Sequence, residues 1–268
     1  MTLAIGMQCK DGIVLAADTR VSYQDGSISD ITKVQSIYTG NGVYAIAQSS
    51  HDANAASSLM AEIRTGLLSE NPASFPDIEN VIKHVMREWY VPVYENRPTV
   101  HLLIGACLGE DILPNALYFC EPPLTVLCIL DNYKAIGDGW VVTDPIYKNW
   151  FEDSSKSLHE SLCRISYLMY KGKQLLPASV GGHTDAVFIS PAATLPYSIE
   201  RLSMDVAESC GPMFDRSMSK LVSLALSGDD GGTSSIMGAA QDIYQTSLNY
   251  SRLEFRCLSP EITIRHGS

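Results

Sequence analysis

Basic residues are in short supply in this 268-residue chain, where 19 Lys and Arg stand against 30 Asp and Glu for a net charge of −11. No run of Lys or Arg exceeds two residues, so the basic footprint that nucleic acid or an anionic membrane surface demands is missing. Long apolar runs are missing too, and nothing approaches the roughly 20 consecutive apolar residues that cross a bilayer. The six histidines form neither an H-E-x-x-H nor an H-x-x-x-H pattern, and the seven cysteines (Cys9, Cys107, Cys120, Cys128, Cys163, Cys210, Cys257) contain no C-x-x-C. A zinc site and a disulfide framework are therefore not expected, and the cysteines read as buried small hydrophobes in a reducing compartment. Asp229-Asp230-Gly231-Gly232 lacks the alternating oxygen ligands of a calcium loop. A G-x-x-x-x-G-K-[ST] loop is absent as well, so the chain has no nucleotide-hydrolysing motif of its own and no cofactor is expected. The first residues, MTLAIGMQCKDG, have neither the basic segment nor the apolar length of a secretory signal, which makes the cytoplasm the expected location.

What the chain has is apolar content, 46% hydrophobic against 18% charged, in the pattern of a globular α+β protein. Residues 2–9 and 13–18 flank Lys10-Asp11-Gly12 as a hairpin, and the second run, IVLAAD, is so uniformly apolar that both its faces should be covered. A second hairpin joins 34–39 to 43–47 through Gly40-Asn41-Gly42. Spacings of three and four predict a helix from 50 to 69, with Ser49, Ser50 or Asp52 as its cap, and another follows Pro76. Strands are expected at 100–108, 116–121, 125–130 and 134–136, then helices at 140–152 and 156–175, then a strand at 185–190. A helix over 205–227, a turn-rich loop at 227–235 and strands at 253–258 and 262–265 complete the pattern. Two antiparallel sheets stacked face to face with helix pairs on both outsides, a four-layer αββα sandwich, satisfy these constraints. The whole of 1–268 reads as one domain, with 228–268 an extension of its core.

Three polar positions stand out. Thr2 follows an initiator Met of the kind readily removed before a small residue, and a chain beginning at Thr2 would carry a hydroxyl beside a free α-amine. With a pKa of about 7.7–8.0, that amine is a usable base near neutrality, able to take the hydroxyl proton through a water. Taken alone, Thr2 reads better as an incidental second residue in an edge strand. Asp18 and Arg20 end the second strand as charges leaving a buried sheet, which a plain strand-terminal ion pair would also explain. Lys33 opens the next strand. Pointing inward, its ammonium would lower the pKa of a neighbouring hydroxyl or amine and would need a carboxylate, for which Asp18 is the candidate. His51-Asp52 reads as a helix N-terminal pair, and His183 as a loop residue after Gly181-Gly182.

The segment TLAIGMQCKDGIVLAADTR, then TKV, then VYAIAQSSHDANAASSLMAEI resembles the opening of proteasome-type β subunits and related bacterial peptidases, which are N-terminal-nucleophile hydrolases. The resemblance implies that Thr2 is the nucleophile, that Lys33 tunes it, and that Asp18 holds Lys33, with Arg20 at the arginine that follows the aspartate. It also implies that the backbone N–H of Gln48 stands where the family's glycine donates to the oxyanion, with a side chain that reshapes the specificity pocket. Two accessory positions depart. Gly137-Asp138-Gly139 replaces Gly-Ser-Gly, and a carboxylate at Asp138 would raise the pKa of the α-amine and weaken it as a base. Pro177-Ala178-Ser179-Val180-Gly181-Gly182 replaces Asp-x-x-Ser-Gly-Gly, leaving Ser179 as the nearest hydroxyl.

By resemblance the chain is a threonine peptidase acting on peptides or unfolded protein, and it self-associates into a ring or helical stack. No feature of the sequence specifies an ATPase partner. Two alternatives stay open at this level: a catalytically silent subunit of such an assembly, and an amidase of the same class acting on a small molecule.

Overall fold

Side-chain alternation along the first hairpin establishes the layers. In the computed structural model β1 (Ala4–Cys9) and β2 (Gly12–Asp18) pair antiparallel, with Ala4 opposite Ala17 and Cys9 opposite Gly12. Ile5, Met7, Val14 and Ala16 point to one side and pack against Leu162, Ile165, Leu168 and Met169. Ala4, Ile13, Leu15 and Ala17 point to the other and meet Leu103, Leu117 and Phe119 of a second sheet. Every residue of β2 is consequently buried, as its uninterrupted apolar run predicts.

The structure describes residues 2–23, 26–90, 98–108, 115–121, 125–129, 132–151, 157–190, 198–204, 208, 211–212, 215–216, 219 and 257–260. After β2 come the short strands β3 (Arg20–Ser22) and β4 (Ile28–Asp30), then β5 (Val34–Tyr38), β6 (Gly42–Ser50), the helices α1 (Ala53–Glu70) and α2 (Phe75–Tyr90), and β7 (Val100–Leu108). They are followed by β8 (Asn115–Glu121), β9 (Thr125–Cys128), β10 (Tyr133–Ile136), α3 (Trp140–Trp150), α4 (Leu158–Leu175), β11 (Thr184–Ser190), β12 (Ser198–Ser203) and β13 (Cys257–Pro260). One sheet has the order β10-β1-β2-β11-β12-β13, the other β5-β6-β7-β8-β9, and each pairing within them is antiparallel. α1 and α2 cover the second sheet through Leu59, Ile63, Ile82 and Met86 packed on Tyr44, Ile46 and Ile104. The four-layer αββα sandwich is thus the observed architecture.

Element ends follow local chemistry. The Asp52 carboxylate accepts from the N–H groups of Asn54 and Ala55, so the cap of α1 is Asp52 and the helix starts at Ala53. β6 runs on through Gln48, Ser49 and Ser50, past the apolar run that predicted it to end at 47, because these residues pair with Leu102, His101 and Val100. Periodicity gives no sign of β3 and β4, three residues each and largely at the surface, nor of β12. Cys128 is a correction: it is exposed on the edge strand β9, whereas Cys9, Cys107 and Cys120 are buried and Cys163 is half-buried. Burial pushes the Cys9 and Cys107 thiols up to about 12, which makes them inert. The predicted loop at 227–235 and the strand at 262–265 lie outside the described residues, as do most of the helix over 205–227 and all but two residues of the strand at 253–258. Among the described residues no helix is long and apolar enough to cross a membrane, and no group of three or more His, Cys, Asp or Glu is arranged to hold a metal ion.

Candidate active site

Strand ends bring the candidate residues together. Thr2 lies just ahead of β1, Asp18 closes β2, Lys33 immediately precedes β5, and Gln48 sits near the end of β6. Their relative exposures are 2%, 0%, 3% and 3%, so all four polar residues are almost fully buried. The hairpin register places Leu3 across from Asp18. The Asp18 N–H donates to the Leu3 carbonyl at 3.1 Å, and the Leu3 N–H, left over at the strand end, donates to Asp18 Oδ1 at 3.0 Å. Gly181 N–H donates to Asp18 Oδ2 at 3.1 Å, which fixes the carboxylate from both sides.

Lys33 completes the arrangement. Its Nζ donates to Thr2 Oγ1 at 2.9 Å, to Asp18 Oδ1 at 3.0 Å and to the Arg20 carbonyl at 2.5 Å, which uses all three ammonium protons. Burial is the main influence on both charges. It pulls Lys33 below the ordinary lysine range and lifts Asp18 above the ordinary carboxylate range, while each charge opposes the shift of the other. An ammonium of lowered pKa against a hydroxyl favours the hydroxyl's ionised form and keeps it oriented.

Arg20 reaches the 177–182 turn. Its guanidinium Nη1 donates to the Pro177 carbonyl at 2.8 Å, and a Cβ on Gly181 would come within 2.3 Å of its Cζ. Arg20 therefore braces the 177–182 turn that delivers the Gly181 N–H, and a side chain at 181 would displace its guanidinium. Gly137 has a similar role on the opposite side. With φ at +82°, a Cβ there would lie 2.1 Å from the Thr2 carbonyl oxygen and 2.7 Å from Ser49 Oγ. The Gly139 N–H is 3.4 Å from that same carbonyl. Asp138, between these glycines, is half-buried and does not line the cavity at Thr2; nor does Ser179, whose N–H donates to the Leu176 carbonyl.

The Gln48 backbone N–H donates to the Lys33 carbonyl at 3.1 Å, where it continues the β5–β6 ladder. The Gln48 side chain lines the cavity, together with Thr2, Lys33, Ser50 and His51 and with Val21, Ser22 and Ile31 from the β3–β4 region. This cavity measures about 30 Å³, room for roughly two water molecules. Sequence reasoning left two parts unfound, the Leu3 and Gly181 N–H donors and the β3–β4 wall, because backbone donors and short exposed strands carry no residue signature. His51 is at the cavity, as a helix-start residue should be, whereas His183 is exposed and its N–H donates to Thr19 Oγ1 at 2.9 Å.

Comparison with known proteins bears on the fold. Residues 2–95 match the family model described as Proteasome subunit. No curated protein sequence matches the chain. Among solved structures, an Anbu (Gly-1) mutant from Hyphomicrobium sp. strain MC1 superposes with a TM-score of 0.70 at 18% identity, over 83% of this chain and 98% of that one. The Anbu complex from Pseudomonas aeruginosa, described as a helical assembly, gives a TM-score of 0.63 at 14% identity over 82% and 95% of the respective chains. HslV from Trypanosoma brucei gives 0.55 at 15% identity over 70% and 99%. At such identities these likenesses establish the fold alone, one shared with Anbu and HslV.

Proposed function

We propose that this chain, proteasome-like in its first 95 residues and in its fold, is a threonine peptidase whose nucleophile is Thr2, exposed by removal of Met1. The observation that carries the reading is the almost fully buried Lys33 ammonium held 2.9 Å from Thr2 Oγ1 and 3.0 Å from Asp18 Oδ1. Thr2 Oγ1 attacks the peptide carbonyl carbon while its proton passes through a water to the α-amine, and the cavity has space for that water. The C–N bond then breaks, the proton goes to the leaving amine, and a second water hydrolyses the resulting ester. Lys33 lowers the cost of the alkoxide and Asp18 keeps Lys33 charged and aimed. The Gln48 N–H, bonded to the Lys33 carbonyl in the β5–β6 ladder, serves the oxyanion as a shared donor without leaving the ladder. Arg20 and Ser179 act at one remove, through the 177–182 turn, and Asp138 acts through the turn that holds the Thr2 carbonyl.

The substrates are peptides or unfolded protein segments. The chain works in the cytoplasm as a homo-oligomer, in a ring or a helical stack like that described for the Pseudomonas aeruginosa Anbu complex. Residues 228–268 extend the domain, and β13 joins its first sheet at the edge.

Intact-mass analysis before and after treatment with a threonine-directed epoxyketone tests the reading. Loss of Met1 and one adduct that disappears in Thr2→Ala support it. A retained Met1 with no adduct supports the silent-subunit reading instead. A peptide-library digest by the adduct-competent protein then separates peptidase from small-molecule amidase.

A further inference from the structure

Gln48 has an unexplained feature beyond its backbone position. Its side chain is 3% exposed, it lines the cavity at Thr2 and Lys33, and its Oε1 has no hydrogen-bond partner among the described residues. Alternation along β6 explains the placement. Tyr44 and Ile46 face α1 and α2, so Gln48 faces the same side, where Ala53 and Ala56 are small enough to leave the cavity open. A buried carbonyl without a donor is costly, and native proteins keep one chiefly where something else supplies the donor.

The cavity restricts what that donor can be. About 30 Å³ suits a side chain of two or three heavy atoms better than a leucine or an aromatic ring. Lys33 makes the pocket unfavourable for a cationic residue, and an unpaired carbonyl oxygen repels a carboxylate. Only a small neutral side chain with a hydrogen to donate satisfies all three conditions. We propose that Gln48 makes the site selective for peptide bonds whose acyl-side residue is serine or threonine, the substrate hydroxyl donating to Gln48 Oε1. This inference rests on the threonine-peptidase reading, and Gln48 acts as a specificity residue in it.

The test uses the Met1-processed full chain and tripeptide epoxyketones identical except for Ser, Ala or Leu beside the warhead, with the rate of Thr2 adduct formation read by mass spectrometry. The wild-type protein should react with the Ser probe about tenfold faster than with the Ala probe, and slowest with Leu. Gln48→Met keeps the bulk without the carbonyl, so it should erase the Ser-over-Ala advantage and still exclude Leu. Gln48→Ala should admit Leu. Equal Ser and Ala rates in the wild type, or a Ser preference that survives in Gln48→Met, would overturn the inference while leaving the peptidase reading intact. The first of these comparisons needs no variant, so it stands even if Gln48→Met fails to fold. No adduct from any probe, in wild type or variants, would overturn the peptidase reading and the inference together.

Discussion

Two Lys–Asp pairs in this molecule have nearly the same length and live in different surroundings. Lys33 and Asp18 are 3.0 Å apart, with side-chain exposures of 4% and 0%; Lys171 and Asp215 are 2.9 Å apart, at 16% and 25%. The first pair bridges strand ends beside a hydroxyl. The second ties α4 to residue 215, where Tyr167 Oη also donates to Asp215 at 2.7 Å. Distance alone would rank them as equals. Burial separates them, because the cost of removing charge from water grows much faster than the attraction gained. The pair at the strand ends is therefore a poor device for stability and a good one for holding an ammonium of lowered pKa against Thr2.

The sharpest way to break this comparison is to remove one partner at a time. Asp18→Ala leaves the Lys33 charge in the pocket together with two N–H donors that have lost their acceptor, and should cost about 3–5 kcal/mol in denaturant unfolding along with all epoxyketone reactivity. The double replacement Asp18→Leu with Lys33→Met should restore much of that stability and none of the reactivity. The signs support this. Asp18, raised by burial, contributes stability below its unfolded pKa that is lost as pH rises through its folded value. Lys33, lowered by burial, contributes stability above its unfolded pKa that is lost as pH falls through its folded value. Between those limits both are charged at a cost. The double variant should accordingly show a flatter stability profile on the acid side, above the unfolded pKa of Asp18, and on the alkaline side, below the unfolded pKa of Lys33. A double variant no more stable than Asp18→Ala would show that the pair holds the fold as well as the nucleophile.

Lys171→Met should do far less. The pair is partly hydrated and Asp215 keeps its tyrosine donor, so a loss of about 1 kcal/mol or less is expected, shrinking further in 1 M salt, with Thr2 reactivity unchanged. A loss comparable to that of Asp18→Ala would overturn burial as the discriminating variable.

The two regions also differ in how much the sequence announces. Thr2, Asp18 and Lys33 were legible because each interrupts an apolar pattern at a strand end, and the resemblance over the first hairpins suggested the roles proposed for them above; the structure shows that Lys33 contacts both other residues. Sandwich layering was legible for the same reason, since IVLAAD has no wet face. Lys171 and Asp215 were invisible: a lysine on an amphipathic helix looks like any solvated residue, and its partner is 44 positions away in the chain. The commitment of the Gln48 N–H to Lys33 was likewise beyond reach, because backbone pairing depends on register and not on residue type. Asp138 shows the intermediate case. Its place between two glycines was readable, whereas its absence from the cavity lining depends on the turn that Gly137 makes at positive φ.

A third ion pair extends the comparison to its weakest member. His101 Nε2 lies 3.5 Å from Glu121 Oε1, with exposures of 30% and 50%, and His101 also stacks on Phe119. Burial lowers the pKa of His101, and the Glu121 carboxylate opposes the shift without cancelling it. A histidine whose folded pKa lies below its unfolded value contributes stability present above the unfolded value, about 6.5, and lost as pH falls through the folded one. His101→Gln should therefore flatten the loss of stability on acidification below about pH 6.5, by well under 1 kcal/mol for so exposed a pair. Glu121→Gln removes the opposing charge and should steepen the same limb. If Glu121→Gln left the limb unchanged, His101 would be titrating as a hydrated side chain, and the gradation from buried to exposed pairs would end at Lys171 and Asp215.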